Sequence, residues 1–509
     1  MSSLKLNILA NFIGQGWSAL TQLAFVPLYL KFLGIEAYGL IGFYIVLQGM
    51  LQILDAGLSM TINRELARYS VQPEKAREAR NLLRTLEVAY WLIGIAIGLM
   101  VFAAAPWIAS GWIKSRDIPV RDLELTLMMM GLLSALQWPV SFYHGGLTGL
   151  QRQVFLNVLK VSMLTLSGGG AVLVLWLVAP TITAFYKWQI LVSAIYVALL
   201  AVSVWRCMPV HSGAPRVDVR LLHNIWRFAA GMGGITVSAV VLTHLDKLIL
   251  SKMLSLEMFG YYTLAGVIGY GVVIVITPVF SAIFPRFASL VASGEEATLK
   301  RLYHQSSQFL AVLILPIGVT IALFSFDILY LWTGNATAAQ SAAPIASILA
   351  IGTVLNGLMN PPYALQLAYG WTSIGLRINT FLIILLIPAI IFMTTHYGAI
   401  GAAIVWPASN GIYMIIGIPF THRRLLRGEA GRWAVTDVGF PLMATLLAVG
   451  LGKWLIEGPM PPIAVLGCLV AVLFISLLAA SLAASQVRTE LLRLIKTLRK
   501  RTLRNEAGG

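Results

Sequence analysis

Long apolar runs separated by short polar breaks fill nearly the whole chain. A run of about twenty apolar residues is long enough to cross a hydrocarbon core about 30 Å thick. On that criterion the pattern predicts membrane helices at 7–30, 38–62, 85–109, 124–148, 157–179, 186–205, 227–250, 258–284, 306–330, 342–368, 378–395, 399–420, 437–456 and 462–484. The expected fold class is all-α, a polytopic membrane protein with about fourteen transmembrane helices. The outer loops are short, the longest lying around Ser110–Arg121, which leaves little room for the extramembrane acid, base or metal of an enzyme working outside the membrane.

Composition agrees. Of 509 residues, 58% are apolar and only 11% charged, with a mean hydropathy of +0.83, whereas soluble domains are about 25% charged. The formal charge of +16 would suggest nucleic acid in a soluble protein, but its placement points elsewhere. With both termini in the cytoplasm, 28 of the 36 basic residues fall on the inner side and 8 on the outer, as the positive-inside rule requires of an even number of spans. No nucleic-acid partner is implied. Cys207 and Cys468 supply neither a disulfide framework nor a metal motif. The first apolar segment is full length and lacks a small-residue cleavage site, which predicts that it is retained.

The chain repeats itself. Lys31-Phe-Leu-Gly-Ile-Glu-Ala-Tyr-Gly39 matches Lys252-Met-Leu-Ser-Leu-Glu-Met-Phe-Gly260 at an offset of 221, and at that spacing Arg64 falls beside Arg286 and Gly149 on Gly370. Six helices lie between the copies, so both keep one orientation, the signature of a parallel repeat. The expected organisation is an N-lobe at 1–205 (helices one to six), a cytoplasmic linker at 206–226 and a C-lobe at 227–420 (helices seven to twelve). Helices thirteen and fourteen follow at 421–484, then a basic amphipathic tail at 485–509.

Leu33-Gly-Ile-Glu-Ala-Tyr-Gly39, Leu54-Asp-Ala-Gly-Leu58 and Arg64-Glu-Leu-Ala-Arg68 resemble the opening of the polysaccharide flippases. So do Gly149-Leu-Gln-Arg152, Asp246-Lys-Leu-Ile-Leu250 and Glu257-Met-Phe-Gly-Tyr-Tyr262. Over about residues 4–420 the chain is similar to the Wzx-like O-antigen repeat-unit flippases of the multidrug/oligosaccharidyl-lipid/polysaccharide exporter superfamily. The resemblance implies a bacterial inner-membrane protein that moves undecaprenyl-pyrophosphate-linked oligosaccharide from the cytoplasmic to the periplasmic leaflet. It also implies a polysaccharide polymerase and a chain-length regulator as partners, and no cofactor. The lipid II flippases are similar too, but they carry arginines in the first helix, where this chain has Asn7, Asn11, Gln15 and Gln22.

Polar residues are costly in lipid and should face a partner helix or a wet cavity, so their spacing is informative. Helix one carries Asn7, Asn11, Gln15, Ser18 and Gln22 on one face. Helix two carries Gln48, Gln52, Asp55, Ser59 and Asn63; helix four carries Ser134, Gln137, Ser141, His144 and Thr148; helix ten carries Thr353, Asn356, Asn360 and Tyr363. These stripes either line a central hydrophilic cavity or bond helix to helix.

Among the charges, Asp55 lies within its stripe and is a proton-coupling candidate. Asp246, beside Lys247, is either a coupling site or half of a structural pair, and Glu87 and Asp327 read as interfacial anchors near helix ends. Arg64, Arg286 and Arg377 sit at cytoplasmic ends, where topology explains them and where a pyrophosphate would also need guanidinium partners. Lys160 and His144 extend that basic mouth. Pro139, Pro278, Pro316, Pro361, Pro362, Pro407 and Gly168-Gly-Gly170 fall within helices as bends or packing positions. The tail, with Leu491, Leu494, Ile495 and Leu498 among seven basic residues, reads as an amphipathic helix on the anionic inner leaflet.

No catalytic motif and no phosphate-binding GxxxxGK[ST] loop occurs. The reading is therefore a transporter and not an enzyme. A cation-coupled multidrug exporter of the same superfamily would need a carboxylate-lined cavity, and a glycan polymerase or ligase would need a long outer loop.

Overall fold

The computed structural model describes the chain outside residues 1–2, 56, 71, 210–212, 219, 221–243, 457, 459, 491 and 494–509. The protein is all-α: among the described residues the only extended pairing is one isolated bridge between Lys114 and Ser255. Among the described residues, eleven helices are long and apolar enough to span a membrane. In lipid a helix satisfies its own backbone donors and acceptors, so runs of this length fold in no other open form. The chain divides into two compact units, Met1–Gly260 and Tyr261–Gly509.

The first unit holds α1 (Ser3–Leu51), α2 (Leu58–Tyr69), α3 (Ala76–Trp107), α4 (Val120–Gly149), α5 (Gln153–Leu177) and α6 (Ile182–Cys207). Helix α1 is two spans in one, bent at Gly34, whose φ of 79° and ψ of 176° a side chain would oppose. Its second arm ends at Leu51, whereas the apolar pattern predicts helix to residue 62. A 3-10 turn, Gln52–Asp55, and Gly57 at φ 77° intervene before α2, because a left-handed residue cannot continue a helix. The core is formed by Leu82, Leu86, Tyr90, Phe142, Leu147 and Leu200, where α3, α4 and α6 meet. The helix read at 227–250 falls mostly on residues 221–243, outside the described residues; residues 244–253 are helical.

Helix α7 (Leu256–Gly269) runs across the division. The second unit continues with α8 (Val273–Ser293), α9 (Glu296–Thr333), α10 (Ala336–Leu358), α11 (Asn360–Ala368), α12 (Thr372–Leu425), α13 (Phe440–Leu455) and α14 (Pro462–Ala483). Helix α12 is again two spans, turned at Gly398 (φ 59°). The helix expected at 342–368 is interrupted at Met359, and Pro361 and Pro362 open α11, where their missing N–H groups cost nothing. The core centres on Tyr303, Leu310, Ile314, Leu358 and Leu365.

Pro139, Pro278, Pro316 and Pro407 lie inside helices as expected. The Gly168–Gly170 run is a packing position: a methyl group on Gly168 would strike Phe25 of α1, and one on Gly170 would strike Trp188 of α6.

Candidate functional site

In the first unit the polar stripes divide into bonded and unbonded residues. Gln48 on α1 donates to Tyr44 Oη at 2.6 Å and to Ser134 Oγ on α4 at 3.0 Å. Tyr44 donates to Gln137 Oε1 at 3.1 Å, and Gln137 donates in turn to Ser193 Oγ on α6 at 3.2 Å. Three helices are thus tied by one network, each bond contributing about 0.6 kcal/mol in a membrane setting. Asn11 donates to Gln153 at 3.1 Å and accepts from Asn157 at 2.6 Å, fastening α1 to α5 beside the Trp17–Thr165 bond of 2.8 Å.

Gln15, Gln22 and Gln52 differ: all are exposed, and among the described residues none bonds to the protein. The side chain of Asn7 lies outside the described residues.

Asp55 sits at the break after α1, half-buried, accepting from Tyr90 Oη at 2.5 Å on one oxygen and from Ser59 Oγ at 2.7 Å on the other. His144 Nε2 lies 2.6 Å from Tyr196 Oη, with Lys160 within electrostatic reach. Arg64 and Arg68 both grip the buried carboxylate of Glu65, at 2.5 Å and 3.2 Å. Asp246 Oδ1 lies 3.7 Å from Lys247 Nζ.

Glu87 is buried at 6% exposure, not an interfacial anchor. It accepts from Arg84 at 2.8 Å, Tyr143 at 2.7 Å and Trp205 at 3.1 Å. Beside it opens a cavity of about 580 Å³ lined by Arg84, Glu87, Trp91, Tyr143 and Ala194 among others, mostly apolar and so unsuited to a sugar.

In the second unit Asn356 donates to Asn410 at 3.0 Å, and Asn360 donates to the Asn356 carbonyl at 3.0 Å, bridging the α10–α11 interruption. Arg286 is exposed on α8. The side chain of Arg377 lies outside the described residues, as does most of the expected tail. Asp327 accepts from Lys453 at 3.1 Å, an exposed pair between α9 and α13.

A larger polar constellation has no counterpart in the stripes. His304 on α9 stands between Asp437 and Glu429, with Gln308, Tyr303 and His422 around it. Its members are up to 133 residues apart, so no helical spacing announces them. His304 lies in a polar stretch, Lys300-Arg-Leu-Tyr-His-Gln-Ser-Ser-Gln308, and does not stand out; the one signal is Asp437, an acidic residue opening the apolar run at 437–456.

Comparison with known proteins fits these features. The model of the polysaccharide biosynthesis protein family matches residues 4–291. A Shigella flexneri protein assigned as an O-antigen transporter is 22% identical over 407 residues, covering 80% of this chain and 94% of its own. Among solved structures, the lipid II flippase MurJ in its inward closed conformation superposes with a TM-score of 0.66 at 13% identity, over 94% of this chain and 98% of its own. An inward-facing multidrug resistance MATE family transporter of the MOP superfamily gives 0.63 at 15% identity, over 82% and 96%. The chain belongs to the polysaccharide biosynthesis protein family, on the membrane fold shared by the MurJ flippase and the MATE transporters.

Proposed function

We propose that the protein is a flippase for polyprenyl-pyrophosphate-linked oligosaccharide. It carries repeat units from the cytoplasmic to the periplasmic leaflet of a bacterial inner membrane by alternating access, for surface polysaccharide synthesis. The observation that carries this reading is the set of unbonded amides, Gln15, Gln22 and Gln52, on membrane-spanning chain. An amide facing hydrocarbon without a partner is costly, so these side chains face a wet path, where they bond sugar hydroxyls. Asn11, Gln48, Gln137 and His144 in the first unit, and Asn356 and Asn360 in the second, are the further substrate-binding residues of this reading. Arg64, Lys160, Arg286 and Arg377 receive the pyrophosphate at the cytoplasmic mouth, and Asp55 and Asp246 are the sites at which an ion gradient is coupled. The lipid tail stays in the bilayer.

The family match supports a glycan substrate, and the transporter fold supports alternating access. The MATE likeness favours one second reading, a cation-coupled drug exporter. Against it, Asp55 and Glu87 each already accept from three protein donor groups, which leaves little open negative charge for a cationic drug. In a strain without a paralogue, deleting the gene leaves lipid-linked repeat units on the cytoplasmic leaflet and removes surface glycan; unchanged surface glycan overturns the proposal.

A further inference from the structure

The His304 cluster lies wholly within the second unit, and none of its members belongs to the proposed sugar- or pyrophosphate-binding residues. His304 Nδ1 is in short contact with Asp437 Oδ2, and Nε2 lies 3.1 Å from Glu429 Oε2. Ionised carboxylates only accept hydrogen bonds, and a neutral imidazole has one N–H to give. Both contacts are satisfied only if the ring carries two hydrogens or one carboxyl group carries a proton. In either case the cluster holds one proton beyond a neutral ring and two carboxylates.

Its neighbour makes the contrast. His422 Nδ1 faces the Ile418 carbonyl at 2.9 Å, and its Nε2 lies 3.1 Å from Tyr303 Oη, a pattern that a neutral ring satisfies.

The charges balance with the proton in place. Arg432 lies 3.9 Å from Glu429, so His304 and Arg432 offset Asp437 and Glu429. Lys300 is turned toward Glu296 and Arg424 lies over the Trp371 ring. Without the proton one negative charge is left where His304 and Asp437 side chains are 1% and 0% exposed, a costly arrangement. Glu429, 20% exposed, is the member nearest solvent.

Asp437 sits on a π-helical stretch, Trp433–Gly439, that leads into α13. Gln308 donates to Asp437 at 2.9 Å and accepts from the Gln486 N–H at 2.8 Å, just past α14.

We propose that His304, Asp437 and Glu429 form a proton-binding site, exchanging with solvent through Glu429. The bound proton fastens α9 to the segments entering α13 and leaving α14. The site stands independently of which substrate the protein carries.

The test is hydrogen exchange on the full chain in lipid nanodiscs, corrected for intrinsic rates, on peptides covering 429–439 and 485–490. Between about pH 5.5 and about pH 8.5, wild-type exchange there rises about tenfold as the proton leaves and the latch opens. His304→Gln removes that difference, leaving one rate at both pH values. Should His304→Gln fail to fold, Glu429→Gln at the partly exposed edge reduces the difference instead. Equal wild-type protection at both pH values overturns the site, and so does a variant that keeps the full wild-type difference.

Discussion

Gly39 and Gly260, the closing residues of the two copies of the repeat, each lie against the backbone of the other copy. A methyl group on Gly39 would stand 2.5 Å from the Leu256 carbonyl oxygen, and one on Gly260 would run into the Ile35 carbonyl. The identity that marks the repeat in the sequence is thus a reciprocal close contact. Nearby, Glu36 accepts from Ser115 Oγ at 2.8 Å and from the backbone N–H groups of Arg116 and Asp117, each at 2.9 Å, fixing the loop between α3 and α4.

Backbone cannot give way as a flexible side chain can, so Gly39→Ala lowers the stability of the purified protein by about 1–3 kcal/mol. Thermal unfolding in detergent measures this. Gly260→Ala does the same, and the double variant loses less than the two single losses together, because the first substitution already opens the contact. Strict additivity would mean that the two glycines do not share one interface.

Tyr44 is the hub of the three-helix network, bonded to both Gln48 and Gln137. Tyr44→Phe therefore costs about 1–2 kcal/mol, near the upper range for polar contacts in membranes. A double-mutant cycle of Tyr44→Phe with Gln137→Leu gives a coupling near zero if Tyr44 and Gln137 act only with other partners.

For the transport path the sharpest variants are Gln15→Leu and Gln22→Leu. If these amides face a wet path, leucine there lowers transport about tenfold, or ~1.4 kcal/mol, and shifts stability by less than about 0.5 kcal/mol. If they face lipid, leucine raises stability and leaves transport unchanged.

Asp55 accepts from Tyr90 and Ser59 at once. Asp55→Asn leaves one acceptor oxygen for two donors, a loss of about 1 kcal/mol, and it abolishes a titrating group. Transport measured across a pH series in proteoliposomes then changes its pH profile; an unaltered profile removes Asp55 from coupling.

Apolar run length makes most spans legible in the sequence, because lipid leaves the helix as the main open solution. The interruptions are harder to read. Gly57 looks like any glycine in an apolar run, yet its left-handed φ ends the helical course predicted through residue 62 and places Asp55 at a helix break. Helical spacing finds Gln48 and Gln137 on two faces but not Tyr44 between them, since an aromatic residue in a membrane run reads as apolar. Glu87 reads as an anchor from its place near a helix end, and only packing shows Tyr143 and Trp205 closing over it. The His304–Asp437 contact joins residues 133 apart, beyond the reach of any periodicity.

The central claim is movement of a lipid-linked glycan between leaflets. The direct measurement reconstitutes the purified chain in proteoliposomes with a fluorescent polyprenyl-pyrophosphate oligosaccharide and follows its accessibility to a membrane-impermeant glycosidase. The account predicts that the inaccessible half of the probe becomes cleavable on mixing wild-type protein, and that Gln15→Leu slows this. A wild-type preparation that leaves the inner-leaflet probe protected, while moving a cationic dye under the same gradient, would contradict it.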